Sequence, residues 1–165
     1  MSQGSNWYDS AARTMVESYY TALKSARTTV ASFYTPQAAM PDGKPLPIIL
    51  FNGNTITDAA AMQRMFEDMP PAIYVVQCYD CQVINPNYVG TDSQCGACTS
   101  GRPRRNMSIL VSVSGYVKYG EPREATKRGF SENFVLIPNP AAVAGNVGRN
   151  HKEWLIQSQN FRLVA

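Results

Sequence analysis

The chain has 165 residues, 44% of them hydrophobic and 16% charged, with 15 Lys and Arg against 12 Asp and Glu for a net charge of +3. A chain of this length buries about 70% of its surface around one core, and its apolar content excludes wholesale disorder. No run reaches the ~18 apolar residues of a membrane span and Met1-Ser2-Gln3-Gly4 opens no secretory signal, so a soluble, intracellular protein with no membrane contact is expected.

The first third reads as helix. Asn6 or Asp9 can cap it, and Trp7, Ala11, Met15, Tyr19, Leu23, Ala26, Val30 and Phe33 recur at intervals of three and four, laying one apolar stripe along a helical face. Lys24-Ser25 interrupts the pattern, which predicts a long helix and then a short one. Thr35-Pro36 stops it, because proline disfavours helix in the residue before it. Residues 36–47 hold four prolines and one glycine and read as a loop insertion rather than an element. Ile48-Ile49-Leu50-Phe51 is a short strand, and Asn52-Gly53 is a strong two-residue hairpin signal. Thr57 or Asp58 caps a second helix through Ala59, Met62, Met65, Phe66 and Met69, which Pro70-Pro71 ends.

Everything after Pro71 is strand-like. Ile73–Ile84, Asn106–Tyr119, Lys127–Ile137 and Glu153–Val164 are rich in β-branched and aromatic residues and are separated by Gly, Pro and Asn clusters. Helices followed by consecutive strands predict an α+β fold with N-terminal helices packed on one face of a curved antiparallel sheet. One domain, 1–165, accounts for the whole chain, with loop insertions at 36–47 and 85–105.

The strand faces carry a functional signal. Met107, Ile109, Val111, Val113 and Val117 suit a helix-covered core, whereas Ser108, Leu110, Ser112, Ser114 and Tyr116 are small or mildly polar and uncharged. In the first long strand, strict alternation sets Ile73, Val75, Tyr79, Cys81 and Val83 against Tyr74, Val76, Cys78, Asp80 and Gln82. An antiparallel sheet facing water normally carries Lys, Glu and Arg on its outer side. Here that side reads as covered, and no strands remain to build a second sheet, so a partner is expected there. Arg162, between Phe161 and Leu163, lies on the same outer face and is suited to an interface pair with a carboxylate.

Charge is unevenly spread: +1 over residues 1–40, −3 over 41–85 and +5 over 86–165. Arg102, Arg104 and Arg105 in the long loop, with Lys127 and Arg128 beyond it, form a possible phosphate-backbone contact for RNA or ribonucleoprotein.

Other chemistry finds little support. Cys78-x-x-Cys81 and Cys95-x-x-Cys98 have the string of a four-thiolate zinc site. Residues three apart on a strand point to opposite faces, however, so free thiols and no metal are expected. His151 sits in a polar turn, and no nucleophile elbow, phosphate loop or dinucleotide fingerprint occurs. Asp80 is the only sheet acid singled out by its surroundings, and it falls outside the core. Neither a catalytic site nor a cofactor is expected. Asn106-Met107-Ser108 is a glycosylation triplet with no expected role inside the cell.

In chain order, Tyr19-Tyr20, Phe33-Tyr34, Ile49-Leu50-Phe51-Asn52-Gly53-Asn54 and Met65-Phe66-Glu67-Asp68-Met69-Pro70 precede Asp80-Cys81-Gln82 and Val113-Ser114-Gly115-Tyr116-Val117-Lys118-Tyr119. Phe130-Ser131-Glu132-Asn133-Phe134-Val135-Leu136, Trp154-Leu155-Ile156 and Phe161-Arg162-Leu163 close the series. This linked order covers nearly the whole chain and resembles the nuclear transport factor 2-like family, in particular the small subunits of heterodimeric messenger RNA export receptors. The resemblance implies a non-catalytic subunit that pairs through its outer sheet face with the homologous domain of a large subunit. It implies partner contacts at Asp80, Arg162, Tyr116, Ser114, Ser112 and Asn133, and transport of ribonucleoprotein through nuclear pores on nucleoporin FG repeats. It also implies a location in the nucleus and at the pore, with shuttling to the cytoplasm. Cys81 matches a family cysteine, whereas Cys78, Cys95 and Cys98 do not. The alternatives on the same fold are an isomerase- or dehydratase-type enzyme and a homodimeric nuclear import carrier.

Overall fold

The computed structural model describes residues 7–86, 88, 107–121, 123–143 and 152–164. Helix α1 (Trp7–Ser25) buries Ala12, Met15, Val16, Tyr19, Tyr20 and Leu23 and turns Arg13, Glu17, Thr21 and Lys24 to solvent, following the expected spacing. It stops at Ser25, and a 3-10 helix (Arg27–Phe33) takes over with Val30 and Phe33 inward. Helix α2 (Ala59–Asp68) begins at Asp58, whose Oδ1 accepts the Ala61 N–H at 2.7 Å and satisfies one of the free donors of the first turn. Met62 is fully buried and Met65 and Met69 pack against the core, so these methionines serve packing.

Residues 36–47 are not a plain loop. Ala38–Ala39 (β1) pairs antiparallel with Pro45–Leu46 (β2), and Gly43, at φ 82°, lies in the connection between them. The Asn52-Gly53 hairpin is present: Asn52 and Gly53 adopt φ of 50° and 83° between β3 (Ile48–Phe51) and β4 (Asn54–Ile56), the geometry of a type I′ turn. A further departure from the all-strand reading is the one-turn helix α3 (Pro140–Val143).

Six strands form the main sheet in the order β4-β3-β8-β7-β6-β5, where β5 is Ala72–Asn85, β6 Ser108–Tyr119, β7 Lys127–Pro138 and β8 Trp154–Val164. The last four strands are antiparallel as expected, but β3 pairs with β8 in parallel, so the sheet is mixed. Helix α2 follows the β3–β4 hairpin and crosses to β5 at the opposite edge, so β3 lies between β4 and the last strand, β8, and far from β5. The helices cover one face, and an aromatic cluster fills the space beneath them. Phe51 stacks on Phe161 at 4.6 Å, Phe161 on Phe130 at 5.5 Å, and Tyr74 meets both Phe130 and Phe161 edge-on.

Tyr74 corrects the strict alternation read from the sequence. The β5–β6 register slips between Val76 and Cys78, so the extra residue Gln77 forms a bulge and reverses the parity of the strand. Tyr74 and Val76 therefore join the helix-covered face with Tyr79, Cys81 and Val83. Ile73 and Val75 lie outside with Cys78, Asp80 and Gln82. At the bulge the two backbones approach closely. A Cβ on Gly115 would stand 2.0 Å from the Val75 carbonyl oxygen. Gly115→Ala is accordingly expected to cost about 3 kcal/mol by forcing main chain apart. Urea denaturation measures this, and an unchanged midpoint would mean that β5 yields freely.

Candidate partner-docking face

The outer face of the sheet is organised in rows set by the strand register. Asp80, Ser112, Asn133 and Asn160 stand side by side across β5, β6, β7 and β8, followed by Leu50 of β3. The next row holds Cys78, Ser114, Ser131 and Arg162, and the one beyond it Val75, Tyr116, Gly129 and Val164. Ser112 donates its hydroxyl to Asn133 Oδ1 at 2.7 Å. Asn160 Oδ1 is shielded from solvent and has no donor among the described residues. Among the described residues, three of the four exposed large hydrophobic ones, Ile48, Ile73 and Val164, are also on this face. One end is already closed, since Ser108, Ile137 and Leu155 are buried and Gln157 Nε2 donates to the Tyr88 hydroxyl at 3.3 Å.

All six residues expected to contact a partner lie on this one face. Asp80 and Arg162 are exposed and three strands apart, about 14 Å at ordinary strand spacing, so they do not neutralise each other. Among the described residues Asp80 Oδ1 accepts only the adjacent Cys81 N–H, at 2.9 Å. Arg162 reaches over the β3–β4 turn, its Nη2 lying 4.0 Å from where a Cβ on Gly53 would be. The basic group is not brought together in the same way. Lys127 is on the outer face with its Nζ 4.0 Å from the Tyr116 ring centroid, whereas Arg128 pairs with Val117 on the helix-covered side. Arg102, Arg104 and Arg105 lie outside the described residues, as do Cys95, Cys98 and His151. Cys78 and Cys81 do point to opposite faces. Among the described residues no cluster of three or more His, Cys, Asp or Glu is placed to hold a metal.

The other face contains an acid that the sequence reading did not single out. Glu132 on β7 is 2% exposed and in phase with Phe130 and Phe134. Tyr20 donates its hydroxyl to Glu132 Oε2 at 2.6 Å, and Gln159 Nε2 donates to Glu132 Oε1 at 2.5 Å and to the Tyr19 hydroxyl at 2.7 Å. Tyr34 donates to Gln159 Oε1. Burial pushes the Glu132 carboxyl up to about 7, partly opposed by the two donors, and raises Tyr19 and Tyr20 as well. The sequence singled out only Asp80 among the sheet acids; for Glu132 the alternation Phe130-x-Glu132-x-Phe134 was the available signal. Both oxygens of Glu132 are engaged by side chains that are themselves buried, so the cluster ties α1 and the segment after the 3-10 helix to the sheet.

Among the described residues Glu132 is the one buried acid of the helix-covered core, and the opposite sheet face is apolar and sparsely charged. The chain belongs to the nuclear transport factor 2 family: the model of the nuclear transport factor 2 (NTF2) domain matches residues 11–162. It is similar to NTF2-related export protein 2 of Bos taurus, at 26% identity over 152 residues, covering 92% of this chain and 84% of that protein. The solved structure of Mtr2 matches with a TM-score of 0.70 at 26% identity, over 93% of this chain and 97% of that one. A chain of the Chaetomium thermophilum complex of the Mex67 NTF2-like domain with Mtr2 matches with a TM-score of 0.71 at 25% identity, over 94% and 98%. The first of these relatives is named an export protein, and a chain named a putative scytalone dehydratase of Novosphingobium aromaticivorans shares the fold, with a TM-score of 0.61 at 9% identity.

Proposed function

We propose that this chain is the small, non-catalytic subunit of a heterodimeric messenger RNA export receptor. Its outer sheet face docks on the NTF2-like domain of a Mex67-type large subunit, and the pair carries ribonucleoprotein through nuclear pores by way of nucleoporin FG repeats. The observation that carries this reading is the outer face itself. Ile48, Ile73 and Val164 are exposed there beside a row of Ser and Asn, and Asp80 and Arg162 have no ion-pair partner among the described residues. Apolar surface with a few convergent polar groups is the anatomy of a protein interface. The similarity to Mtr2, which is solved in complex with the Mex67 NTF2-like domain, supports the same choice of partner.

The test is co-expression of the full chain with that domain, followed by size-exclusion chromatography. Wild type should elute as a 1:1 complex. Arg162→Glu should lower affinity a hundredfold or more, about 3 kcal/mol, because a guanidinium aimed at a carboxylate of the partner is replaced by a like charge in a desolvated interface. Normal complex formation by Arg162→Glu would remove this residue from the interface.

A further inference from the structure

We infer that the β6–β7 end of the outer face, built from Lys118, Lys127 and Tyr116, docks an acidic segment on the sheet face of the partner NTF2-like domain. This rests on the heterodimer reading above and adds the charge that the partner must present. Lys118 and Lys127 are direct cross-strand partners, so their side chains leave the same face with Cβ atoms about 5 Å apart. Like charges in that position weaken the pairing that carries them. The Tyr116 ring attracts the Lys127 ammonium, holding it over the face at 4.0 Å rather than letting it extend into water. Among the described residues neither lysine makes an ion pair, and the two acids of the connecting turn, Glu121 and Glu124, are exposed and unpaired with them.

The surroundings are continuous with the docking face. Ile73, 46% exposed, is the β5 neighbour of Lys118, and Val164, 49% exposed, stands in the Tyr116 row. Lys118, Lys127 and Arg162 face a single outer-face acid, Asp80, among the described residues of β3 and β5–β8. A second copy of this chain would bring the same cationic excess, whereas an acidic partner face would neutralise it. RNA is the other polyanion these lysines could attract. It fits less well, because the cations here sit among apolar side chains and Arg128 leaves from the opposite face.

The test uses the full chain and the Mex67-type NTF2-like domain, with association rates measured by stopped flow at low and high ionic strength. Lys118→Glu/Lys127→Glu should associate about tenfold more slowly at low ionic strength, with the difference shrinking at high salt. Lys118→Gln/Lys127→Gln should fall between that variant and wild type. Equal rates and equal salt slopes for all three would overturn the inference while leaving the heterodimer intact. Unchanged rates with weakened binding to poly(U) would also overturn it and assign the lysines to nucleic acid. Failure of the wild-type chain to bind the domain at all would overturn the heterodimer reading and this inference with it.

Discussion

Between pH 5 and pH 8 the protein should lose about 3 kcal/mol of stability through Glu132 alone. The carboxyl titrates near 4.5 in an exposed chain and about 7 in the fold, and among the described residues no cation compensates its burial. An acid whose folded pKa is raised binds its proton more tightly in the native state. Its contribution is therefore fully present below about pH 4.5, declines as pH rises, and is gone above about 7. Glu132→Gln reproduces the neutral form. Its carbonyl oxygen can still accept from Gln159, while the Tyr20 hydroxyl turns to accept from the new amide. The variant should be flat across this range and more stable than wild type at pH 8. Denaturant titrations at a series of pH values decide the matter: the same slope in both proteins would show that other groups control it. Glu132→Leu is the harsher comparison, because it strands the Gln159 and Tyr20 donors and should be less stable than Glu132→Gln at every pH.

The second large effect is expected at Arg27. Its guanidinium donates from Nη1 to the carbonyls of Phe66 and Met69, both at 2.7 Å, from Nη2 to Pro70 at 3.0 Å, and from Nε to Leu23 at 3.0 Å. These are free acceptors at the ends of α2 and α1, and one planar fork satisfies them together. Arg27→Ala should cost about 3 kcal/mol, since bonds to a charged donor are each strong but not additive. For a domain of this size that lowers Tm by roughly 10 °C. Arg27→Lys should recover less than half, because a point ammonium cannot span four carbonyls. A Tm within a degree or two of wild type for Arg27→Ala would show that water replaces the fork at no cost.

Arg27 and Glu132 illustrate why part of the molecule was not legible beforehand. Local pattern predicted α1, the break after Ser25, the Asp58 cap, the Asn52-Gly53 hairpin and the four long strands, because each depends on residues within a turn or two of one another. Nothing local marks Arg27, since three of its four acceptors are about forty positions away. The bulge at Gln77 was invisible to strict alternation, which is why Ile73 and Tyr74 were placed on each other's faces. It follows from the fit of β5 against Gly115, a contact between strands. Glu132 did carry a local signal in its phase with Phe130 and Phe134. Its partners Tyr20 and Gln159, however, come from helix and strand segments at opposite ends of the chain.

From residue order came the class of fold and a sheet face that carries few charged residues. These follow from composition and period, which act over short distances. Folding added the identity of the residues on that face and their order in rows. It also set the three-strand separation of Asp80 and Arg162, brought Lys118 and Lys127 together, and enclosed the Glu132 carboxyl among hydroxyl and amide donors. Each of these depends on strand register and on which segments meet across the sheet, and a one-residue slip would have given a different surface from the same sequence.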